Sequence, residues 1–334
     1  MEQNVPVPVM NRAIIDSLER GETKKAADAS TGMTRTQLRE GSFAFKILKP
    51  EQATNDMLVP SLVHDKPMIY WEIEPDSPGA KWVPFQTVPS GEYIWGSRYV
   101  IPMARIVTPK YEKDLDELRT YKTDLRKVLT DNSIKDGLSE IDGKFIALCD
   151  GIVTDTCDPD NAFAADAPGG VAGHPNAFTG KVQWMTFNGG LTRENLAEAK
   201  KMMLRGSTFT GMADKFHLRN NLALMNEITA QELLKMRRDH SGGDLSETML
   251  QDGLTMEKIF GMQILYTIKS GLVPTGTIYF FAAPEFLGKC FYLTDWTMYM
   301  KKEAFMVEMF SYWLGGMAIG NVAGVCRADF PGVI

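Results

Sequence analysis

The chain has 334 residues, 44 % of them hydrophobic, and a formal net charge of −6. The length predicts two domains, or one domain with long excursions. The acidic balance disfavours a protein that grips nucleic-acid phosphates directly, and the sequence lacks both a run of 18 apolar residues and a signal peptide. We therefore expect a soluble protein made in a cytoplasm, with no membrane partner.

Residues 1–40 are polar and predict a segment that cannot stay folded by itself, since they offer little apolar surface to bury. One short amphipathic stretch, NRAIIDSLERG, is the exception. It places Ile14, Ile15 and Leu18 on one face, and Gly21 is suited to end the helix. These three side chains are the first candidates for contact with another subunit.

Residues 41–98 predict long β-hairpins. The strand-like runs GSFAFKIL, PMIYWEIE, KWVPF and EYIWGSRYV are separated by Pro, Gly and Asp. The runs hold more aromatic rings than a hairpin can bury, and such rings often anchor interfaces. The alternative is that they cover the main domain of their own chain. The candidate contact residues of this region are Phe43, Phe45, Trp71, Trp82 and Trp95.

A charged segment follows, with Leu115, Leu118, Leu125 and Val128 at helical spacing. It predicts a helix over 110–131 of roughly 30 Å, with one narrow apolar stripe that packs on one side only. The stripe continues through Leu138, Ile141, Phe145 and Leu148.

Two further helices are predicted after a Gly- and Pro-rich loop over 151–190, which ends in the strand-like KVQWMTF. The first helix covers 192–205, with Thr192 as its N-cap and Gly206 as its stop. The second is indicated by the capping-box pattern from Thr229 to Glu232.

From residue 259 onward the sequence predicts mostly strands. The runs are MQILYTI, TIYFFA, KCFYLT, EAFMVEMFSYW and AIGNVAGVCRADF. The fold class is therefore α+β. In the segment YFFAAPEFLGKCFYLTDW (279–296), the aromatic residues predict protein core rather than a catalytic site.

Patterns for chemistry are weak, so we predict no catalytic residue, no cofactor and no enzyme. The motifs of zinc proteases, serine hydrolases, P-loop proteins and dinucleotide-binding proteins are missing. An acidic loop over 155–166 is the best cation candidate, but it breaks EF-hand spacing and reads better as a solvated loop. The histidines and cysteines are scattered, which predicts free buried thiols and no shared metal site. They are His64, His174, His217, His240, Cys149, Cys157, Cys290 and Cys326.

In their order and spacing, these parts resemble the major capsid proteins of tailed bacteriophages, which share the Hong Kong 97 fold. The resemblance covers about residues 33–330 and rests on TRTQLREGSFAFKIL, WGSRYVIPMARIVTP, NLAEAKKMM, LALMN, TGTIYFFAAPEFLGKCFYLTDW and NVAGVCRADF. It implies an N-terminal arm, an extended β-hairpin loop, a peripheral domain with a long spine helix, and an axial domain. The implied boundaries are 1–40 for the arm, 41–98 for the extended loop, 99–207 for the peripheral domain, 208–315 for the axial domain, and 316–334 for a closing strand of the peripheral domain. The two aromatic runs of 279–296 would then be adjacent strands of the axial-domain sheet, with every second residue buried.

The resemblance implies that the chain pairs with itself in pentamers and hexamers, forming an icosahedral head shell of a virion assembled in the host bacterial cytoplasm. Packaged double-stranded DNA would be enclosed without specific binding, and a portal and a decoration protein are implied partners. The family-like region starts within about 40 residues of Met1, so we expect scaffolding to be a separate protein. Two alternatives stay open: an encapsulin-like nanocompartment shell, distinguished by its cargo, and an uncharacterised α+β enzyme.

Overall fold

The computed structural model describes residues 41–60, 65–73, 82–85, 88, 91, 93, 97–114, 117, 125–157, 178–180, 183–187, 190–204, 218–235 and 258–333. Its helices are α1 (Phe43–Ile47), α2 (Leu125–Cys157), α3 (Arg193–Lys200), α4 (Glu227–Gln231) and α5 (Pro284–Leu287). Its strands are β1 (Pro50–Gln52), β2 (Val59–Pro60), β3 (Pro67–Ile73), β4 (Ser97–Pro102), β5 (Ala104–Val107), β6 (Tyr111–Asp114), β7 (Phe178–Gly180), β8 (Trp184–Phe187), β9 (Leu222–Asn226), β10 (Lys258–Ile259), β11 (Met262–Thr267), β12 (Thr277–Phe281), β13 (Gly288–Glu303), β14 (Met306–Ile319) and β15 (Val325–Asp329). The α+β class is thereby confirmed.

The chain divides into two compact units. The first contains Met1–Ile69, Ile101–Lys144 and Cys290–Met317, and the second contains Tyr70–Val100, Phe145–Lys289 and Ala318–Ile334. Both units are discontinuous in sequence. The predicted boundaries of arm, extended loop, peripheral domain and axial domain stay a prediction.

The first unit is built on a five-stranded sheet. Its order is β1-β13-β14-β5, and β6 also pairs with β14. Within this unit the sheet packs on α2: Trp296 of β13 is 0 % exposed against Gly137, and the Ser133 hydroxyl donates to the Ser311 hydroxyl at 2.8 Å. A separate three-stranded sheet has the order β2-β3-β4.

The second unit is built on a seven-stranded mixed sheet of order β10-β11-β9-β12-β15-β8-β7. All five residues of β12 are buried, as befits a central strand covered on both faces. The apolar side of α3 and the turn after it contribute Leu196, Ala199, Met202 and Met203 to the core of this unit. The predicted N-cap is confirmed, because the Asn195 N–H donates to the Thr192 hydroxyl at 3.2 Å.

Three predicted elements are wrong in type or position. GSFAFKIL contains helix α1 rather than a strand, since the Ser42 hydroxyl caps it and accepts from the Phe45 N–H. Within the helix predicted over 110–131, residues Tyr111–Asp114 form strand β6 instead, paired with β14 from Met306↔Asp114 to Met309↔Tyr111. The long helix α2 covers Leu125–Cys157, so it includes the end of the predicted helix and the first residues of the loop predicted over 151–190. Helix α4 begins at the N-cap Asn226, three residues before the predicted cap.

Thr229 does not cap a helix, because its side chain makes a hydrogen bond within the core of the second unit. Its hydroxyl is buried and accepts from the Gly276 N–H at 2.8 Å. A capping-box pattern fixes only residue types, so it could not reveal this distant partner.

The two aromatic runs of 279–296 lie in different sheets, so their prediction as adjacent strands is wrong. β12 is in the seven-stranded sheet and β13 is in the five-stranded sheet, with the single turn of α5 between them. The alternation of buried residues also fails, because β12 is buried on both faces. The prediction that these aromatics are core is confirmed for Tyr279, Phe280, Phe281, Phe291 and Trp296, which are each at most 1 % exposed. It is wrong for Phe286 of α5, which is 46 % exposed, and Tyr292 is half-buried.

Asp142 ties α1 to α2 inside the first unit, and its removal is expected to be costly. It is 0 % exposed and accepts from the Ser42 hydroxyl at 2.5 Å and from the Ala44 N–H at 3.0 Å. Asp142→Ala leaves two buried donors unpaired, so we expect the free energy of unfolding to fall by about 3 kcal/mol. Urea denaturation measures this. The exposed Glu140→Ala on the same helix is the control, with an expected change within about 0.5 kcal/mol; equal effects of the two would contradict the assignment.

Candidate assembly surface

The sequence-predicted contact residues lie in different environments. Phe43 is 4 % exposed, so it is buried in its own chain, and Phe45 is half-buried with its ring centroid 6.0 Å from that of Trp313. Trp71 is half-buried under Lys289, whose ammonium lies 5.3 Å from the ring centroid. Trp82 is fully exposed. The remaining candidates, Ile14, Ile15, Leu18 and Trp95, lie outside the described residues.

The exposed apolar side chains around Trp82 form what we call the 82–88 surface, consisting of Trp82, Val83, Phe85 and Val88. The exposed fractions of Trp82 and Phe85 are 104 % and 102 %, and that of Val88 is 85 %. Isolated apolar residues on a surface are ordinary, but two fully solvated aromatic rings three residues apart are a marker of an interaction site. The excess of aromatic residues over local core made Trp82 a contact candidate in the sequence, whereas Phe85 was not among the predicted contact residues.

The energetic consequence of covering these rings is large. A Trp or Phe side chain buries about 150–250 Å² when covered, which is worth about 4–6 kcal/mol as an upper bound. Pro84 stands between the two rings and has no backbone N–H to leave unpaired when the segment is covered. The 82–88 surface is therefore suited to dock against an apolar partner surface.

One exposed ion pair links strands β3 and β4. Arg98 of β4 donates to Glu72 of β3 at 2.9 Å, and both side chains are largely exposed. Such a pair adds little stability and is weakened by salt. It aligns two strands rather than anchoring them.

A second exposed apolar group lies at the tip of the β13–β14 hairpin in the first unit. Phe305 is 74 % exposed and Tyr299 is 45 % exposed, and the turn places Ala304 at a positive φ of 52°. Lys110, which directly precedes β6, pairs with Glu308 of β14 at 2.5 Å and with Glu112 of β6 at 3.1 Å. Hydrogen bonds to these two carboxylates raise the pKa of Lys110. Sequence reasoning missed Phe305, because in EAFMVEMF it reads as one more strand residue.

A polar network in the second unit was also missed. Arg327 donates to Asp150 at 3.0 Å and to Asp329 at 3.1 Å, and its guanidinium lies over the rings of Trp184 and Tyr279. The Tyr279 hydroxyl donates to Asp150 at 2.8 Å, and burial, followed by the charge of Asp150, raises the pKa of Tyr279. The carboxylates of Asp150 and Asp329 both accept hydrogen bonds from the Arg327 guanidinium, so the network offers no free base or nucleophile. It locks three strands and α2 together within this unit.

Metal and thiol chemistry find little support in the described part of the chain. No group of three His, Cys, Asp or Glu side chains there is placed to hold a metal ion. All four histidines, and Asp158, Asp160 and Asp166 of the acidic loop, lie outside the described residues. Cys149, Cys290 and Cys326 are buried free thiols, as predicted, and burial raises the pKa of Cys290 to about 12. Helices of the described residues fall short of the length and apolarity needed to cross a membrane.

Comparison with solved structures identifies the fold. The chain superposes on the asymmetric unit of the bacteriophage PhiM1 mature capsid with a TM-score of 0.51, at 9 % identity, over 80 % of this chain and 83 % of the other. The chain has the fold of a tailed-phage capsid protein. Structures from Microbacterium phage Oxtober96 (TM-score 0.53, 11 % identity, 87 % and 91 % coverage) and Mycobacterium phage Bobi (TM-score 0.54, 14 % identity, 87 % and 90 % coverage) are similar to it as well.

No protein-family model matches the chain, and no curated protein matches it. The likeness is therefore one of fold at 9–14 % identity. The Hong Kong 97 fold expected from the sequence is confirmed, while the roles of single residues rest on the geometry described above.

Proposed function

We propose that this chain is a major capsid protein that assembles into pentamers and hexamers, forming the icosahedral shell of a tailed bacteriophage around double-stranded DNA. The observation that carries the proposal is the extent of the likeness to the PhiM1 mature capsid, which covers 80 % of this chain and 83 % of the capsid chain. A match that complete in both directions leaves little of either chain for another activity. An enzymatic role is correspondingly disfavoured.

The exposed aromatic rings support the same proposal. A monomer gains nothing from solvated Trp82 and Phe85, whereas a subunit of a shell buries them in every one of its repeated contacts. The formal charge of −6 suits a container, because a wall of like sign to DNA lets the DNA slide during filling. The proposed location is the virion, after assembly in the host bacterial cytoplasm.

The proposed partners follow from the same assembly. The first is the chain itself. A separate scaffolding protein, a portal and a decoration protein complete the proposed set, and no membrane is involved. Packaged DNA is enclosed rather than recognised.

Assembly is the test. Purified full-length chain, alone and with its scaffolding protein, is expected to form rings of five and six subunits or closed shells, seen by sedimentation velocity and negative-stain microscopy. A chain that stays monomeric at high concentration under every salt condition, with scaffold present, would contradict the proposal. Particles from infected cells should contain DNA; enzyme cargo in its place would assign the nanocompartment function instead.

A further inference from the structure

One edge of the five-stranded sheet in the first unit is open. β5 lies at the end of the sheet and pairs with β14 in antiparallel register, from Ala104↔Gly315 to Val107↔Tyr312. The Thr108 N–H donates to the Ser311 carbonyl at 2.9 Å. Because backbone groups alternate sides along a strand, Arg105 and Val107 point theirs away from β14.

Just before β5, the outward-facing side of the backbone already makes one hydrogen bond. The Met103 N–H, two residues before Arg105, donates to the Pro67 carbonyl at 3.2 Å. Within the described residues we find no strand that continues this pairing past Met103. The backbone of Arg105 and Val107 is therefore available to an added strand.

A groove of about 330 Å³ runs along this edge. One wall is β5 and the segment after it. The other wall is α2, where Asp136, Glu140 and Lys144 are spaced four residues apart on one exposed face, and where the backbone of Gly137 also lines the groove. Val107 is 50 % exposed and gives the groove an apolar patch. An extended peptide fits this shape, with its backbone on β5 and alternate side chains toward α2.

The sequence holds a segment with the matching pattern. Residues 5–9 read Val-Pro-Val-Pro-Val. Each proline fixes its own φ and pushes the residue before it toward extended conformations, so the segment enters a sheet at little entropic cost. Val5, Val7 and Val9 keep their N–H groups at every second position, which is the spacing that an edge strand pairs.

The prolines also explain why such a strand ends the sheet. In a strand whose Val5, Val7 and Val9 face β5, Pro6 and Pro8 would fall at the positions whose backbone nitrogens face outward, where no donor is needed. An outer edge without N–H groups cannot template a further strand. The Val-Pro alternation thus allows the segment to pair with one sheet edge while preventing further strands from pairing with its other side.

We propose that residues 5–9 of a second copy of this chain add as a strand to β5, in the groove, and pair with Arg105 and Val107. The inference rests on the proposed function, because it names one contact between two subunits of the shell. The partner is a second copy because Gly41, where the described chain begins, lies on the side of α2 away from the groove. A Cβ at Gly41 would lie 2.8 Å from Leu138 Cδ1, and Leu138 is two residues, or about 200° around the helix, from Asp136 and Glu140. Residues 10–40 span up to about 100 Å when extended, which reaches a neighbour.

Hydrogen exchange of the full-length chain tests the contact. Peptides covering residues 103–109 are compared by mass spectrometry in dissociated subunits and in assembled shells. We expect the exchange rate of the outward amides to fall at least tenfold on assembly. Unchanged exchange in assembled shells would overturn the proposal, and so would protection that is already present in dissociated subunits, since that would place the chain's own arm in the groove.

Two variants of the arm sharpen the test. Val7→Pro removes an inward N–H and is expected to abolish the protection of residues 103–109. Pro6→Ala adds only an outward N–H and is the matched control, with protection retained. On the groove side, Val107→Pro loses no bond to β14, so the subunit should keep its melting temperature while the protection of Arg105 disappears. Protection that survives both Val7→Pro and Val107→Pro would mean that another segment covers the edge.

The contact and the proposed function can fail separately. If no shells form, dissociated full-length chain is measured with an excess of a synthetic peptide of residues 1–12. Protection of 103–109 by that peptide, and not by its Val7→Pro form, supports the strand addition without any shell. Absence of protection at saturating peptide overturns the strand addition, whatever microscopy shows of assembly.

Discussion

Gly137→Ala is expected to destabilise the chain by at least about 2 kcal/mol, although Ala is ordinarily the better helix residue. Gly137 lies in α2, and a Cβ there would lie 2.6 Å from Cζ2 and 2.7 Å from Cζ3 of Trp296. The ring cannot move aside cheaply, because Trp296 is 0 % exposed in the core of the first unit. Thermal and urea unfolding measure the loss, and insoluble expression is its extreme form.

The same helix supplies the control. Gly151 is exposed, and a Cβ there meets nothing within 4 Å. Gly151→Ala therefore brings only the helix-propensity gain, and the free energy of unfolding should rise by about 0.5–1 kcal/mol. The opposite signs of the two Gly→Ala changes are the diagnostic result.

A double variant separates the clash from other causes. Trp296→Leu removes the ring, so Gly137→Ala should cost much less in that background, and the two changes should be clearly non-additive. Additive losses would show that Gly137 is needed for another reason, such as the shape of the groove beside β5.

Sequence reasoning succeeded where the local pattern matches the physical cause. Thr192 caps a helix because a hydroxyl three residues before an orphan N–H is a local arrangement. The burial of Leu138, Ile141 and Phe145 follows from helical period alone, whereas Leu148, the last residue of the predicted stripe, is 38 % exposed. The exposed Trp82 was also found locally, from an aromatic residue with no core beside it in the sequence.

The failures share a non-local cause. β6 is a strand because β14, far along the chain, supplies its hydrogen-bond partners, and a helical spacing that begins at Leu115 gives no information about that distant partner. The two aromatic runs were given to one sheet because they are neighbours in sequence, yet the strand partners of β12 are β9 and β15. Arg327, Asp150 and Tyr279 come together from three distant segments, so no spacing rule joins them.

The fold was recognisable before its parts were correctly placed, because the order of elements carries more information than any one of them. The surface is different. Exposure of Trp82 and Phe85 can be predicted as an excess of aromatic residues, but the edge of β5 becomes visible only once the sheet order is known. Of the two proposed contacts, the 82–88 surface can therefore be predicted from local sequence, whereas the edge of β5 depends on the topology of the sheet.

Replacing the two exposed rings is expected to have the largest effect on assembly. In Trp82→Ser with Phe85→Ser, the subunit loses no internal packing, because both side chains are fully solvated. Its free energy of unfolding should change by no more than about 0.5 kcal/mol. Assembly should weaken much more, since each ring contributes up to about 4–6 kcal/mol when covered by a neighbour.

The critical concentration for shell formation measures that loss, by sedimentation at a series of protein concentrations. A loss of only 1.4 kcal/mol per subunit raises it about tenfold, and the double Ser variant should exceed this. Trp82→Phe with Phe85→Leu keeps most of the apolar area, so its critical concentration should be close to that of the unmodified chain. This control separates loss of apolar area from loss of fold. If the double Ser variant assembles normally, the 82–88 surface is not a subunit contact. If the double Ser variant unfolds instead, these rings pack on their own chain. The tip of the β13–β14 hairpin is then the next candidate for a subunit contact, and Phe305→Ser tests it.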